Sequence, residues 1–352
     1  MLREIFIALS ESATMRRISM SAPGSKTVSR RFVAGEKLEE GIAAVRRQVE
    51  AGYFATMDYL GESVTSRDEA RAAADMYIRM LEQLAGQTLP GGEPLKTRAN
   101  VSIKLTQMGQ DIPAPPNTPP PAGPTWPQPE RGMIPVEGRF DDVFLRDNVG
   151  RILDRARELG IFVRFDMESR FHTQRTLDFI RRLWAEGYHD IGIVLQSYLL
   201  RTEHDARVAN SLGMRVRLCK GAYQEPPEVA IQDKPGVDRN YVKVATLLMA
   251  EGNYPGIATH DSTMIRAAIE FARTQQIDRS RFEFQMLYGV RRDLQQQLLK
   301  EGYNVRVYTP FGDAWYPYFM RRMAERPGNA MFIVNAVLRE SPLGGIFGRN
   351  GR

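Results

Sequence analysis

Apolar positions along this chain follow two alternating rhythms. Leu38, Ile42, Val45 and Val49 fall three and four apart, the stripe of an amphipathic helix, and they predict a helix over 36–49. Residues 1 to about 50 as a whole read as helical. The character changes at 53–59, which reads as a first strand, and a helical pattern follows over 67–84. Seven further strand-like runs lie at 100–105, 161–167, 191–196, 215–220, 256–260, 282–286 and 304–308. Helical patterns separate them, among them 147–159, 174–186, 238–251, 263–275 and 292–301. Several of the strands are apolar throughout, as strands of a parallel sheet covered on both faces must be. Eight alternating units favour a closed (β/α)8 barrel of the TIM type over an open sheet.

The last strand leads into the stretch around which the candidate chemistry is organised. Residues 304–308 alternate, 310–313 read as a turn, and Asp313 is placed to cap a helix beginning soon after it. Pro317 suits the first turn of that helix. On it Tyr318, Arg321, Arg322 and Glu325 share one face, with Trp315 a turn earlier. Two guanidinium forks beside a tyrosine suit a small carboxylate, although paired arginines on a helix are also an ordinary solvated surface. The chain divides into an N-terminal helical segment (1–50) packed on the barrel, the barrel itself (51–335) with its last helix over the active-site mouth, and a tail (336–352). Residues 112–135 are dominated by proline and fit neither helix nor central strand. A disordered insertion at the mouth is the expectation there, with a lid or a docking arm as the functional alternative.

Strand ends carry the polar groups. Lys104, Asp166 with Glu168, Gln196, Arg217 with Lys220, His260, Gln285 and Tyr308 each close a predicted strand. In α/β barrels the C-terminal strand ends form the active site, so the repetition points to a catalytic mouth. Composition narrows the class further. Hydrophobic residues at 43% and charged residues at 26% are ordinary for a globular protein. The net charge of +6 is spread along helical patterns without a nucleic-acid motif, which argues against nucleic-acid binding. The one cysteine, Cys219, lies in an apolar strand, so no disulfide within the chain and no cysteine-rich metal site is expected, and a reducing cytoplasm fits. The N-terminus does not read as a signal peptide and no run is long enough to span a bilayer, which leaves only peripheral contact with a membrane surface.

Taken in order, the strand-end motifs resemble those of the proline dehydrogenase family, in its monofunctional bacterial form. Arg217-Leu218-Cys219-Lys220-Gly221-Ala222-Tyr223 is similar to the flavin-binding strand of that family. Ala258-Thr259-His260, residues 282–287 and residues 308–325 match in the same order, and 101–105, 165–168 and 193–196 agree as well. Residues 30–36 and Asp58-Tyr59-Leu60-Gly61-Glu62 resemble the one-domain bacterial members, and no aldehyde dehydrogenase segment is read after the barrel. Cys219, Gln224, Asp261 and the proline-rich stretch depart from the pattern.

The resemblance implies FAD at the barrel mouth, oxidation of L-proline to Δ1-pyrroline-5-carboxylate as the first step of proline catabolism to glutamate, and transfer of the electrons to membrane quinone. By position it implies that Lys104, Asp166, Tyr223, Leu287, Tyr308, Tyr318, Arg321, Arg322 and Glu325 line or brace the proline site. Gln196, Arg217, Lys220, Gly221, Ala222, Thr259, His260 and Gln285 would surround the flavin. Within that frame Asp166 is the natural partner of Lys104, and Arg217 would stabilise negative charge on the reduced flavin. No general base for the proline nitrogen and no metal ligand is assigned. Oxidation of hydroxyproline or of another cyclic or N-alkyl amino acid is the rival within the class. A non-catalytic binding barrel is the rival outside it. A pyrroline-5-carboxylate dehydrogenase partner stays open.

Overall fold

The computed structural model describes residues 30–61, 64–133, 138–316 and 318. Its centre is a closed barrel of eight parallel strands paired in sequence order, β1 to β8, with β8 returning to β1. The strands are β1 (Phe54–Tyr59), β2 (Ala99–Ile103), β3 (Val163–Phe165), β4 (Ile191–Gln196), β5 (Arg215–Cys219), β6 (Gly256–Ala258), β7 (Glu283–Leu287) and β8 (Val305–Phe311). Helix α1 (Leu38–Glu50) precedes the barrel. Helices α2 (Arg67–Ala85), α3 (Asp142–Leu159), α4 (Arg170–Ala185), α5 (Thr202–Leu212), α6 (Lys234–Glu251), α7 (Ser262–Thr274) and α8 (Arg292–Lys300) each follow a strand. The predicted (β/α)8 barrel is therefore the observed fold. Its outer core lies between strands and helices, where Met57, Val101, Phe165, Ile193, Leu218 and Phe284 are buried against the helical layer.

Three helices start earlier than their apolar periodicity suggests, and at two of them a capping side chain sets the start. The Asp141 side chain accepts from Phe144 N ahead of α3, and Asp233 accepts from Gly236 N ahead of α6. Helix α4 starts at Arg170, directly after Ser169. Helix α5 was not singled out from the sequence; it is short, with four buried positions.

Strand β8 runs through Pro310 to Phe311, where the sequence reads a turn from 310. Pairing with β7 ends at Tyr308, while pairing with β1 continues as Asp58↔Pro310 and Tyr59↔Phe311. Phe311 O accepts from Leu60 N of the β1 side, and Pro310 O, one residue earlier and so facing the other way, accepts from Ala34 N at 2.8 Å. The proline nitrogen therefore points to the edge that β7 has already left, and its missing N–H costs no ladder bond. Residues 30–37, read as helical from the sequence, are turns and bends that cover this edge.

Over its described residues 112–133 the proline-rich segment is mostly exposed but pinned to the barrel at a few points. Pro113 bridges to Phe140, and Trp126 is fully buried. Trp126 N donates to Asp178 of α4 at 2.7 Å, and its indole Nε1 donates to Asp205 of α5 at 2.9 Å. Asp205 in turn pairs with Arg201 at 2.6 Å, both almost fully buried. The segment is a strap clipped to the flank of two barrel helices. The arginine stripe expected at Arg321, Arg322 and Glu325, and the tail at 336–352, lie outside the described residues.

Candidate active site

Inward-facing residues of β1, β2, β3 and β8 converge at the C-terminal end of the barrel. Lys104, directly after β2, donates to Asp58 Oδ1 at the end of β1 at 2.9 Å. It also lies 3.3 Å from the Tyr308 hydroxyl and 3.6 Å from Asp166 Oδ2. Asp166, directly after β3, is the acceptor at the centre. It receives Ser102 Oγ at 2.6 Å, Tyr308 OH at 2.7 Å and Arg217 Nη1 at 2.7 Å. The expected pairing of Lys104 with Asp166 is present at 3.6 Å but has a closer rival in Asp58 at 2.9 Å.

Charge and burial fix the protonation states. Burial pushes the Asp166 carboxyl up, but the Arg217 and Lys104 cations and the bonds from Ser102 and Tyr308 outweigh it, holding it below the usual carboxylate value. Burial, with Asp166 and Asp58 nearby, raises the Tyr308 phenol well above its ordinary value, so it remains a donor. The Arg217 guanidinium also lies over the Tyr308 ring, 5.2 Å from its centroid, within cation–π range.

The other half of the mouth belongs to β4 through β7. Gln196 ends β4; its amide nitrogen donates to Met167 O and Glu168 O, while its buried Oε1 has no partner among the described residues. Lys220 follows β5 and is held by Asp238 at 2.5 Å and Asp261 at 2.8 Å. Gly221 has φ of +109°, and a Cβ there would fall 2.2 Å from the Tyr198 ring, so only glycine lets the chain lie flat on that ring. Gly221 and Ala222 are exposed on the rim, and Tyr223 and Leu287 are half-buried. Thr259 is buried after β6, with its hydroxyl accepting from Asp261 N at 3.1 Å. His260 Nε2 accepts from Leu287 N at 2.9 Å, which ties the end of β6 to β7 and puts the ring proton on Nδ1.

Gln285 lies deeper than the sequence suggests. Its Oε1 accepts from Arg217 Nε at 2.5 Å and its Nε2 donates to Glu283 at 2.6 Å. Both ends of that amide are engaged inside the barrel, so it braces Arg217 from below. Arg217 itself spans the two halves of the mouth. Tyr318 is buried in a cluster with Val33, Leu60, Trp315 and Tyr316. Asp58, Ser102 and Glu283 were missed as site residues. The available signal was a carboxylate or hydroxyl set inside an otherwise apolar strand, as in Phe54-Ala55-Thr56-Met57-Asp58-Tyr59.

A closed (β/α)8 barrel whose strand ends gather a lysine, two aspartates, an arginine and a tyrosine defines an enzyme of the barrel class, with its site at the mouth. Comparison with known proteins gives the family. The family model described as Proline dehydrogenase matches residues 42–335. Proline dehydrogenase 1 of Bacillus subtilis (strain 168) is 35% identical, over 97% of this chain and 100% of that protein. Proline dehydrogenase of Deinococcus radiodurans is 38% identical, over 89% of this chain and 90% of that protein. The chain belongs to the proline dehydrogenase family. Among solved structures, proline utilization A from Bdellovibrio bacteriovorus, inactivated by N-propargylglycine, aligns with a TM-score of 0.72 at 24% identity. That alignment covers 93% of this chain and 34% of that larger one, and it bears on the fold alone. Among the described residues no helix is long and apolar enough to cross a membrane.

Proposed function

We propose that this enzyme oxidises L-proline to Δ1-pyrroline-5-carboxylate using FAD held over the β4–β7 half of the mouth, and passes the electrons to quinone. The observation that carries the reading is the division of the mouth in a chain of this family. A buried, charge-balanced cluster around Lys104 and Asp166 lies on one side, and Gln196, Lys220, Gly221 and His260 lie on the other. The second set fits a flavin dinucleotide. The Gln196 oxygen, unpartnered among the described residues, is an acceptor for a ring imide N–H, and Lys220, now paired with Asp238 and Asp261, is a cation that could turn to the diphosphate. When bound, FAD would accept a hydride from the ring carbon next to nitrogen, with a proton lost from that nitrogen as the C=N bond forms.

The chain's own residues provide position and charge. Lys104 supplies a cation for the substrate carboxylate, and Arg321 and Arg322, braced by Glu325, would supply bidentate forks. Tyr308, Tyr223, Tyr318 and Leu287 would pack the ring and exclude water. Arg217, with Asp166 on one side and Gln285 on the other, provides a fixed positive charge at the boundary between the two halves. The test is spectroscopic. The purified protein should show oxidised-flavin absorbance that anaerobic L-proline bleaches, with oxidised quinone restoring it. A colourless protein that cannot be loaded with FAD overturns the cofactor assignment, and bleaching by hydroxyproline but not by proline overturns the substrate.

A further inference from the structure

Lys104 can meet a substrate carboxylate only if its ammonium is not drawn fully onto Asp166, and the geometry shows what holds it back. Asp166, 3.6 Å away, would be the obvious trap for it. Ser102 and Arg217 take up Asp166 Oδ1, and Tyr308 donates to Oδ2, the oxygen nearer the lysine. The lysine is held from the other side by Asp58, whose side chain is 0% exposed. Asp58 is itself fixed. It lies next to last in β1, in register with Ser102 of β2, and the fully buried Tyr77 of α2 points its hydroxyl at Oδ1, 3.5 Å away. That hydroxyl is tied in turn to Gln107 at 3.3 Å and to the Tyr59 amide at 3.3 Å. A helix, a strand and the turn after β2 therefore converge on one carboxylate.

We infer that Asp58 is a positioning residue for the reaction, holding the Lys104 ammonium at the mouth and away from Asp166; this rests on the proposed role of Lys104 as the cation that meets the substrate carboxylate. The inference has a sign that separates it from a simple charge effect. Asp58 is an anion close to where a carboxylate would bind, so by charge alone its removal should tighten binding. If Asp58 works by placing the lysine, its removal should weaken binding, because Lys104 is then drawn to Asp166.

The experiment uses the full-length protein as purified, with cyclopentanecarboxylate, which has the ring and carboxylate of proline but no nitrogen to oxidise. Its Kd is measured by calorimetry for the wild type, Asp58→Asn, Lys104→Met and the double variant, and kcat and KM for proline are measured alongside. Asp58→Asn is expected to weaken binding roughly tenfold, the size of one lost charge-assisted contact. The loss should appear in KM more than in kcat, with flavin content unchanged. The double variant should be no weaker than Lys104→Met, since Asp58 acts through the lysine. Equal or tighter binding by Asp58→Asn beside a weakened Lys104→Met overturns the positioning role. Should the single Asp58 variant fail to accumulate, the double variant leaves neither buried charge alone. A further loss in that double variant relative to Lys104→Met overturns the inference. Wild-type affinity in Lys104→Met instead overturns the placement of the carboxylate at Lys104.

Discussion

Asp166 is the residue on which the mouth balances, and its ionisation makes a pH prediction. Its folded pKa lies below the ordinary value of about 4, because Arg217 and Lys104 outweigh burial. The stability it contributes is therefore present above about pH 4 and is lost as pH falls through the depressed folded value. Thermal unfolding followed from pH 7 downward should give a nearly level Tm to about pH 5, then a decline. Asp166→Asn should melt lower than the wild type at pH 7, and the gap should narrow in acid. A gap that widens in acid would contradict the assignment of Asp166 as an anion held by its neighbours. The arginines at 321 and 322 carry a second residue-scale prediction. On the proposed reading, replacement of either by Met keeps the aliphatic stem and removes a carboxylate-gripping fork worth about 2–4 kcal/mol. Turnover of proline, as kcat/KM, should fall about 30-fold to 1000-fold with flavin content unchanged. Wild-type kcat/KM in both variants would return the pair to the solvated surface. Lys104 and Asp166 could be found from sequence because each closes an apolar strand. Which carboxylate holds the lysine could not, since that depends on how β1 and β2 stand in register, as Asp58↔Ser102.

Elements were legible where period and punctuation agreed. Strand β4, an apolar run ending at Gln196, has the bounds its sequence suggests. Strand β3 is only Val163–Phe165, because pairing on both sides is confined to those three residues, a fact that belongs to its neighbours. The strap was misread for a related reason: its backbone has no period, and it is held by contacts with residues distant in sequence, chief among them those of Trp126. Trp126 fills a gap between α4 and α5 and donates to Asp205, itself paired with the buried Arg201. Trp126→Ala should therefore cost about 3–5 kcal/mol, the range for deleting a buried aromatic ring. It should also open residues 112–133 to limited proteolysis. Urea unfolding and a timed digest measure the two effects. An unchanged urea midpoint with faster cleavage would mean that the strap is clipped on without bearing on the rest of the molecule. An unchanged cleavage rate would mean that its other contacts suffice to hold it.

At the scale of the molecule, the barrel interior is a polar column rather than an apolar plug. From Asp166 it descends through Arg217, Gln285 and Glu283 to Arg306, whose Nη1 donates to Ala55 O of β1 at 2.8 Å. Glu283 and Arg306 meet at 2.7 Å, and both are largely buried. This pair joins β7 to β8, and the arginine continues to β1, so it crosses the seam where the last strand meets the first. Burial pushes the Glu283 carboxyl up, yet Arg306 outweighs it and keeps the group ionised. Two buried charges of this kind stabilise the fold little relative to apolar residues of the same size, but either one alone is costly. Glu283→Leu should then destabilise the barrel by about 3–5 kcal/mol, because Arg306 is left without its carboxylate. Adding Arg306→Met should recover much of that loss, although Tyr254 and Gln285, which donate to Glu283 at 3.2 and 2.6 Å, would still lack their acceptor. Urea midpoints for the wild type, both singles and the double measure the coupling. Losses that merely add would mean that Glu283 and Arg306 are held independently, and that the barrel seam is closed by its backbone ladder rather than by this pair.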